Sequence, residues 1–193
     1  MATTYEPEPA GPGLTWAALL VALGGTAGSL YLSLEAGMGL KPCPLCYYQR
    51  SFMMGVAAVL LMGLLTRASR VAPLSLLALP LGAAGAGIAG FHVYLEKVGA
   101  LECPGGIYGL GSAPQQSLGV YIVLAFLLVA EALRRGGGPV VRFIAMLLAF
   151  VVGGGIAYGC IVSVPREPPP IRAWPEGPTK TCRQPYHEPQ AAP

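Results

Sequence analysis

Five long apolar runs alternate with shorter polar stretches along the chain, and this alternation predicts its elements. The runs cover Leu14 to Leu34, about Arg50 to Thr66, about Val71 to Tyr94, about Leu118 to Leu133, and about Val140 to Val164. A bilayer core is spanned by ~20 apolar residues in helical form, because only a helix satisfies its own backbone polar groups in hydrocarbon. Each run therefore reads as a transmembrane helix. Pro73 falls near the start of the third, where a missing amide costs little. Pro80 is interior and is expected to kink it. The polar stretches differ in length. Arg67 and Arg70 mark one short turn, and Arg134, Arg135 and Arg142 bracket another. Glu35 to Gln49 and Glu96 to Ser117 are long connections, the second rich in Gly and Pro.

The pattern divides the chain into a disordered Pro-rich lead (1–13), a four-helix core (14–134), a fifth helix (135–164) and a polar Pro-rich tail (165–193) that cannot build a core of its own. The lead carries no Lys or Arg, and the first apolar run is too long for a signal-peptide core, so that run is expected to be retained as a span. The predicted fold is all-α: a polytopic membrane four-helix bundle with antiparallel neighbours, a fifth helix packed on its outside, and a C-terminal tail delivered by that helix.

Composition sharpens the class. Only 11% of residues are charged, whereas a soluble domain carries roughly a quarter. The net charge of +3 comes from dispersed Lys and Arg near the predicted membrane edges, so it says nothing for nucleic acid, and no nucleic-acid partner is expected. The arginines of the two short turns place those turns in the cytoplasm, although Lys41, Arg50 and Lys97 fall on the opposite side. Alternation of five spans then sends Cys43, Cys46, Cys103, Cys160 and Cys182 to one face. Cysteines segregated in this way suit an oxidising compartment, so that face is expected outside a cytoplasmic (inner) membrane.

The candidate chemistry centres on Lys41-Pro42-Cys43-Pro44-Leu45-Cys46-Tyr47-Tyr48-Gln49-Arg50. Two thiols separated by two residues can close and reopen a tight disulfide. A helix beginning after Cys46 would direct its N-terminal amides at the thiols and favour a thiolate. Arg50, one turn further on, adds a fixed positive charge; its plainer reading is an arginine snorkelling to the membrane surface. A zinc site or a structural staple is the alternative for the pair, but no second CxxC supplies further ligands, and His92 and His187 are the chain's two histidines. His92, in Gly90-Phe91-His92-Val93-Tyr94, is an ionisable residue at a span end. It is either functional or part of an interfacial belt with Phe91 and Tyr94. Glu131 beside Arg134 and Arg135 reads as an interfacial ion-pair member, and Gln115 and Gln116 could cap or close the second long connection.

Pro-Cys-x-Leu-Cys-x-x-Gln-Arg at the lip of a hydrophobic segment resembles the disulfide bond formation protein B (DsbB) family. The resemblance implies a membrane enzyme that oxidises a thioredoxin-like, DsbA-like extracytoplasmic dithiol protein and passes electrons to a quinone (ubiquinone or menaquinone). A quinone is apolar enough to dissolve beside the pair. By this resemblance Cys46 faces the quinone, Cys43 is its partner, Arg50 holds the quinone, and His92 stands near it. The resemblance also implies a second cysteine pair in the second outer connection. Cys103 matches its first member, but Gly105 to Ser117 holds no cysteine. Cys182, on a tail returned to the same face, is the replacement expected to pair with Cys103. A Cys160–Cys182 bond and a free Cys182 stay open as alternatives, since loop length affects closure only logarithmically. Cys160, after a run of small residues, is then the thiol left over.

Three other readings remain. Vitamin K epoxide reductases also pair a four-helix design with a CxxC, but theirs lies late in the bundle. A thiol-based metal carrier would place cysteines within the spans along a path. A non-catalytic membrane subunit would use the CxxC as a staple.

Overall fold

The structure is a computed structural model that describes residues 13–66, 74–134, 138–165, 170–174, 177 and 179–186. It contains five helices: α1 (Gly13–Ser33), α2 (Pro44–Leu65), α3 (Leu74–Lys97), α4 (Ala113–Arg134) and α5 (Pro139–Ser163). All five are long and apolar enough to cross a membrane, which makes this an all-α, multi-pass membrane protein. No strand forms among the described residues beyond two isolated antiparallel bridges, Glu102 with Arg183 and Gly105 with Ser112.

The helices obey the sequence pattern, with two boundaries moved. α2 starts at Pro44, not after Cys46. Proline suits the first helical position because its φ is already helical and its missing amide would have had no partner there. Cys43 is the N-cap, and its sulfur accepts the amide of Cys46 at 3.3 Å. α4 likewise begins at Ala113, earlier than its apolar run, because Ser112, Gln115 and Gln116 find partners. Pro80 sits inside α3 without ending it. Arg67, Arg70, Pro73, Arg135 and His187 lie outside the described residues, as does most of the N-terminal lead.

The first four helices form a ring in which α1 touches α2 and α4, and α3 touches α2 and α4. Alanines and leucines fill it, among them Ala18, Leu19, Val56, Leu60, Leu79, Leu124 and Leu128. Small residues at these crossings let backbones approach closely, which supplies packing energy that lipid cannot. α5 lies outside the ring, almost wholly against α3. The two backbones come close at Gly153, where a Cβ would stand 2.6 Å from the Pro80 carbonyl oxygen. The outward faces carry large apolar side chains, including Leu77, Phe126, Phe143, Leu148 and Val151, as a lipid-facing surface requires.

At one end of the ring, buried Glu131 of α4 accepts a hydrogen bond from Thr15 of α1. At the other end the long connections and the tail come together. Gln116 closes the second connection by bracketing Ile107: its Oε1 accepts from the Ile107 amide at 2.9 Å and its Nε2 donates to the Ile107 carbonyl at 2.8 Å. The tail returns to this end. Arg183 and Glu102 exchange backbone bonds at 2.8 and 3.1 Å, and the Lys41 amide donates to the Lys180 carbonyl at 2.7 Å.

Candidate functional site

All five cysteines gather at that end. Cys43 and Cys46 occupy the N-cap and first turn of α2, with their sulfurs 2.9 Å apart and unbonded. Because one helical turn carries both, their spacing is fixed by local backbone geometry. Cys43 is 8% exposed, and its thiol is pushed well above the ordinary range, first by its hydrogen bond with the Cys46 sulfur and then by burial. The proton of the pair therefore belongs to Cys43.

Cys103 and Cys182 are joined in a disulfide, with Cα atoms 4.1 Å apart and a sequence separation of 79. The bridge between Glu102 and Arg183 aligns the residues next to them, so backbone pairing presents the two sulfurs to each other. The Cys182 sulfur also lies within 4.8 Å of those of Cys43 and Cys46 and of a His92 ring nitrogen. Cys160 is a free, half-buried thiol packed in the same apolar cluster as Cys43, Leu45, Ile88 and Ala157.

His92 is fully buried at the centre of this group. Its Nε2 faces two sulfurs, Cys103 at 3.5 Å and Cys43 at 3.8 Å. Its Nδ1 meets the Gln49 side-chain amide at 3.2 Å. Gln49, 5% exposed, is tied down twice more: Ser117 donates to its Oε1 at 2.7 Å, and the Tyr121 hydroxyl donates to its backbone carbonyl at 2.5 Å. Tyr121 reaches across because Gly85 leaves room for its ring; a Cβ there would fall 2.2 Å from the ring carbons.

Two clefts open on either side of the dithiol. One lies between α1, α2 and α4 and is lined by Ser29, Ser33, Cys46, Gln49, Arg50, Met53 and Cys182, among others. Arg50 spans its wall, donating to the Ser29 carbonyl at 2.7 Å and the Ser33 hydroxyl at 2.5 Å, with its guanidinium 6.0 Å from the Tyr47 ring centroid. The Arg50 Nε is buried and has no partner among the described residues. A guanidinium on the wall of a largely apolar cleft, beside a thiol, suits a carbonyl ligand such as a quinone. The second cleft, between α2, α3, α5 and the tail, exposes Cys43 and again Cys182, and is walled by Leu45, Phe91, Leu95 and Ile161. Cys46 thus opens to one cleft, Cys43 to the other, and Cys182 to both.

Of the residues singled out from sequence, Cys43, Cys46, Cys103, Cys182 and His92 form one cluster, and Arg50 borders it through Cys46. His92 does not line the Arg50 cleft; it stands behind Cys43, between the two cysteine pairs. Gln49 escaped notice as a participant. Its signal was available: it lies three residues after Cys46, and a polar amide facing the interior of an apolar helix demands a partner.

Comparison with known proteins places these residues in a family. The family described as "Disulfide bond formation protein DsbB" matches residues 13–119, a stretch that holds Cys43, Cys46 and Cys103 and ends before α5 and Cys182. The chain is similar to "Probable disulfide formation protein C 1" of Bacillus anthracis, with 36% identity over 94 residues, 49% of this chain and 62% of the relative. It is also similar to "Disulfide bond formation protein B 1" of Pseudomonas fluorescens, with 33% identity over 85 residues, 44% of this chain and 49% of the relative. The matches thus span between about half and three fifths of these relatives' length. No solved structure matches the chain. The family match covers more than half of the sequence and includes the CxxC, and on that ground the chain belongs to the DsbB family of disulfide bond formation proteins.

Proposed function

We propose that this protein is a membrane thiol oxidase that reoxidises a thioredoxin-like extracytoplasmic dithiol protein and passes the electrons to a membrane quinone. The observation that carries the reading is the position of Cys182, disulfide-bonded to Cys103 and within 4.8 Å of both CxxC sulfurs. Disulfides exchange by thiolate attack through a mixed disulfide, so pairs this close can pass electrons with only small side-chain motion.

Cys103–Cys182 is the outer pair, and the partner's thiolate attacks it. Cys43–Cys46 is the inner pair, which takes the electrons from the outer one. When bound in the Arg50 cleft, a quinone supplies the two-electron acceptor. Arg50 would hold a ligand carbonyl through its guanidinium at the cleft wall, and its fixed charge lies one turn from Cys46 on the same helix. Cys43 keeps the shared proton, which leaves Cys46 as the nucleophile toward the cleft. The cysteine end faces the oxidising side of the membrane, and the short turns with Arg134 and Arg142 face the cytoplasm.

The test is quinone-dependent oxidation of a reduced thioredoxin-like protein by the purified membrane protein, with Cys46→Ser and Cys182→Ser beside it. Turnover by the wild type and a stall in both variants supports the two-pair relay. Equal turnover by wild type and Cys182→Ser removes Cys182 from the path. A wild type that transfers no electrons to quinone overturns the oxidase reading.

A further inference from the structure

We infer that His92, held by Gln49, supplies one shared N–H donor to both cysteine pairs and serves the exchange between them. The inference rests on the two-pair relay proposed above. The Gln49 amide nitrogen donates to His92 Nδ1, because its oxygen is occupied by the Ser117 hydroxyl. A neutral imidazole whose Nδ1 accepts carries its proton on Nε2. That N–H points between the Cys103 and Cys43 sulfurs, 3.5 and 3.8 Å away.

These two sulfurs have complementary parts in the exchange. Consider the inner pair oxidised and the outer pair reduced. The Cys182 thiolate attacks the Cys43 sulfur; a Cys182–Cys43 bond forms, the Cys43–Cys46 bond breaks, and Cys46 leaves with the electron pair. The Cys103 thiolate then attacks the Cys182 sulfur; the Cys103–Cys182 bond forms, the Cys182–Cys43 bond breaks, and Cys43 leaves with the electron pair. Two electrons pass from the outer to the inner pair. Of the two protons given up by Cys103 and Cys182, one is taken up at Cys43 and the other passes to solvent, so that Cys46 stays a thiolate and the charge balances. In the second step negative charge moves from the Cys103 sulfur to the Cys43 sulfur, the two atoms that His92 Nε2 faces. One donor can follow the charge from nucleophile to leaving group without reorienting. The structure holds the product of this step, with the outer pair bonded and the inner pair free.

Gln49 is the positioning residue, because turning its amide would move the imidazole proton to Nδ1 and aim a lone pair at the sulfurs. The ionisable groups facing His92 are Cys43 and Cys46 from α2, Cys103 from the outer connection, Cys182 from the tail, and Glu96, which acts through space from one turn along α3.

The experiment follows the exchange itself in full-length protein that is fully oxidised and freed of quinone. One equivalent of a reduced CxxC protein is added, the reaction is acid-quenched and alkylated, and the bonded pair is identified by mass spectrometry over time. In the wild type the rate of transfer to Cys43–Cys46 rises with pH to a plateau as thiolate forms. His92→Leu slows transfer by about tenfold to a hundredfold, the range one hydrogen bond to a charged group carries. His92→Gln, which restores an N–H, recovers part of it. Gln49→Glu takes the proton to Nδ1, so its exchange regains an Nε2 donor only when the ring is doubly protonated, and its pH profile acquires an acidic optimum. If Gln49→Glu does not fold, Ser117→Ala carries the same test by freeing the amide to turn, with slower exchange expected. A His92→Leu rate within twofold of wild type overturns the inference, as does a Gln49→Glu profile or Ser117→Ala rate matching wild type. Absence of transfer in the wild type overturns the relay itself, and is recognised without any variant.

Discussion

The two cysteine pairs are built by opposite means. Cys43 and Cys46 share the first turn of one helix, so three residues of backbone set their distance. Cys103 and Cys182 come from segments 79 residues apart and meet only because α5 returns the tail and the Glu102–Arg183 bridge aligns it. The first pair is held together by one turn of its own helix. The second depends on a light scaffold of a few backbone bonds, and a scaffold of that kind can release one sulfur toward a neighbour. A relay needs one of each.

The comparison breaks most severely if the outer pair is removed. Cys182→Ser should lower oxidation of a protein dithiol to background, while quinone reduction driven by a small dithiol such as dithiothreitol, which can reach the inner pair directly, should fall far less. Parallel assays with the two reductants check this. Equal losses would mean that the pairs are not separable in function.

The scaffold of the outer pair can be struck from a distance. Gly153→Leu would push α5 off the Pro80 carbonyl, an overpacking that costs about 1–3 kcal/mol. The expected result is a lower melting temperature in detergent together with a more easily reduced Cys103–Cys182 bond. Gly154→Leu, where nothing lies within 4 Å, should do neither.

On the side of the inner pair, Arg50→Lys keeps the charge but loses the planar guanidinium whose Nη2 donates to both Ser29 and Ser33 at the cleft wall. The KM for quinone should rise by about tenfold, the scale of one charge-assisted bond. The asymmetry within that pair is open to alkylation. The Cys43 pKa is raised, so Cys43 remains a thiol as pH climbs through the neutral range. In the reduced protein its modification by iodoacetamide should trail that of Cys46 across that range.

The smallest effect expected is at the tail. Arg183 lies over the Trp174 ring at 4.9 Å, and the Trp174 indole donates to the Gln184 carbonyl at 2.9 Å. Arg183→Ala removes a contact of about 0.5–1 kcal/mol, and the equilibrium of the outer disulfide with glutathione should move by about twofold to fivefold toward reduction.

The same contrast explains what could be read from the sequence. Hydrophobic runs announced five helices because a bilayer imposes length and composition on each span separately. The CxxC was equally plain, since its geometry is local. The start of α2 was not: Pro44 lies ahead of the continuous apolar run, separated from it by Gln49 and Arg50, yet its ring fixes a helical φ and moves the helix start ahead of Cys46. The partner of Cys103 was open from sequence, because a loop-closure argument barely separates Cys160–Cys182 from Cys103–Cys182. Only the bridge between Glu102 and Arg183 distinguishes them in space. The Gln49–His92 link was invisible for a related reason. It joins α2 to α3 through a buried pair 43 residues apart, and no periodicity encodes which interior polar groups will find each other.

The Cys103–Cys182 bond closes a covalent loop that contains α4 and α5. While it is intact, a pull on the tail is borne by the end of α3 as well as by α5. Once it is reduced, the same load falls on the isolated backbone bridge between Glu102 and Arg183 and on the bond between Lys41 and Lys180. The oxidation state of this bond is therefore also a mechanical state, and each turnover of the proposed relay would slacken and retighten a belt around the mouth of the bundle.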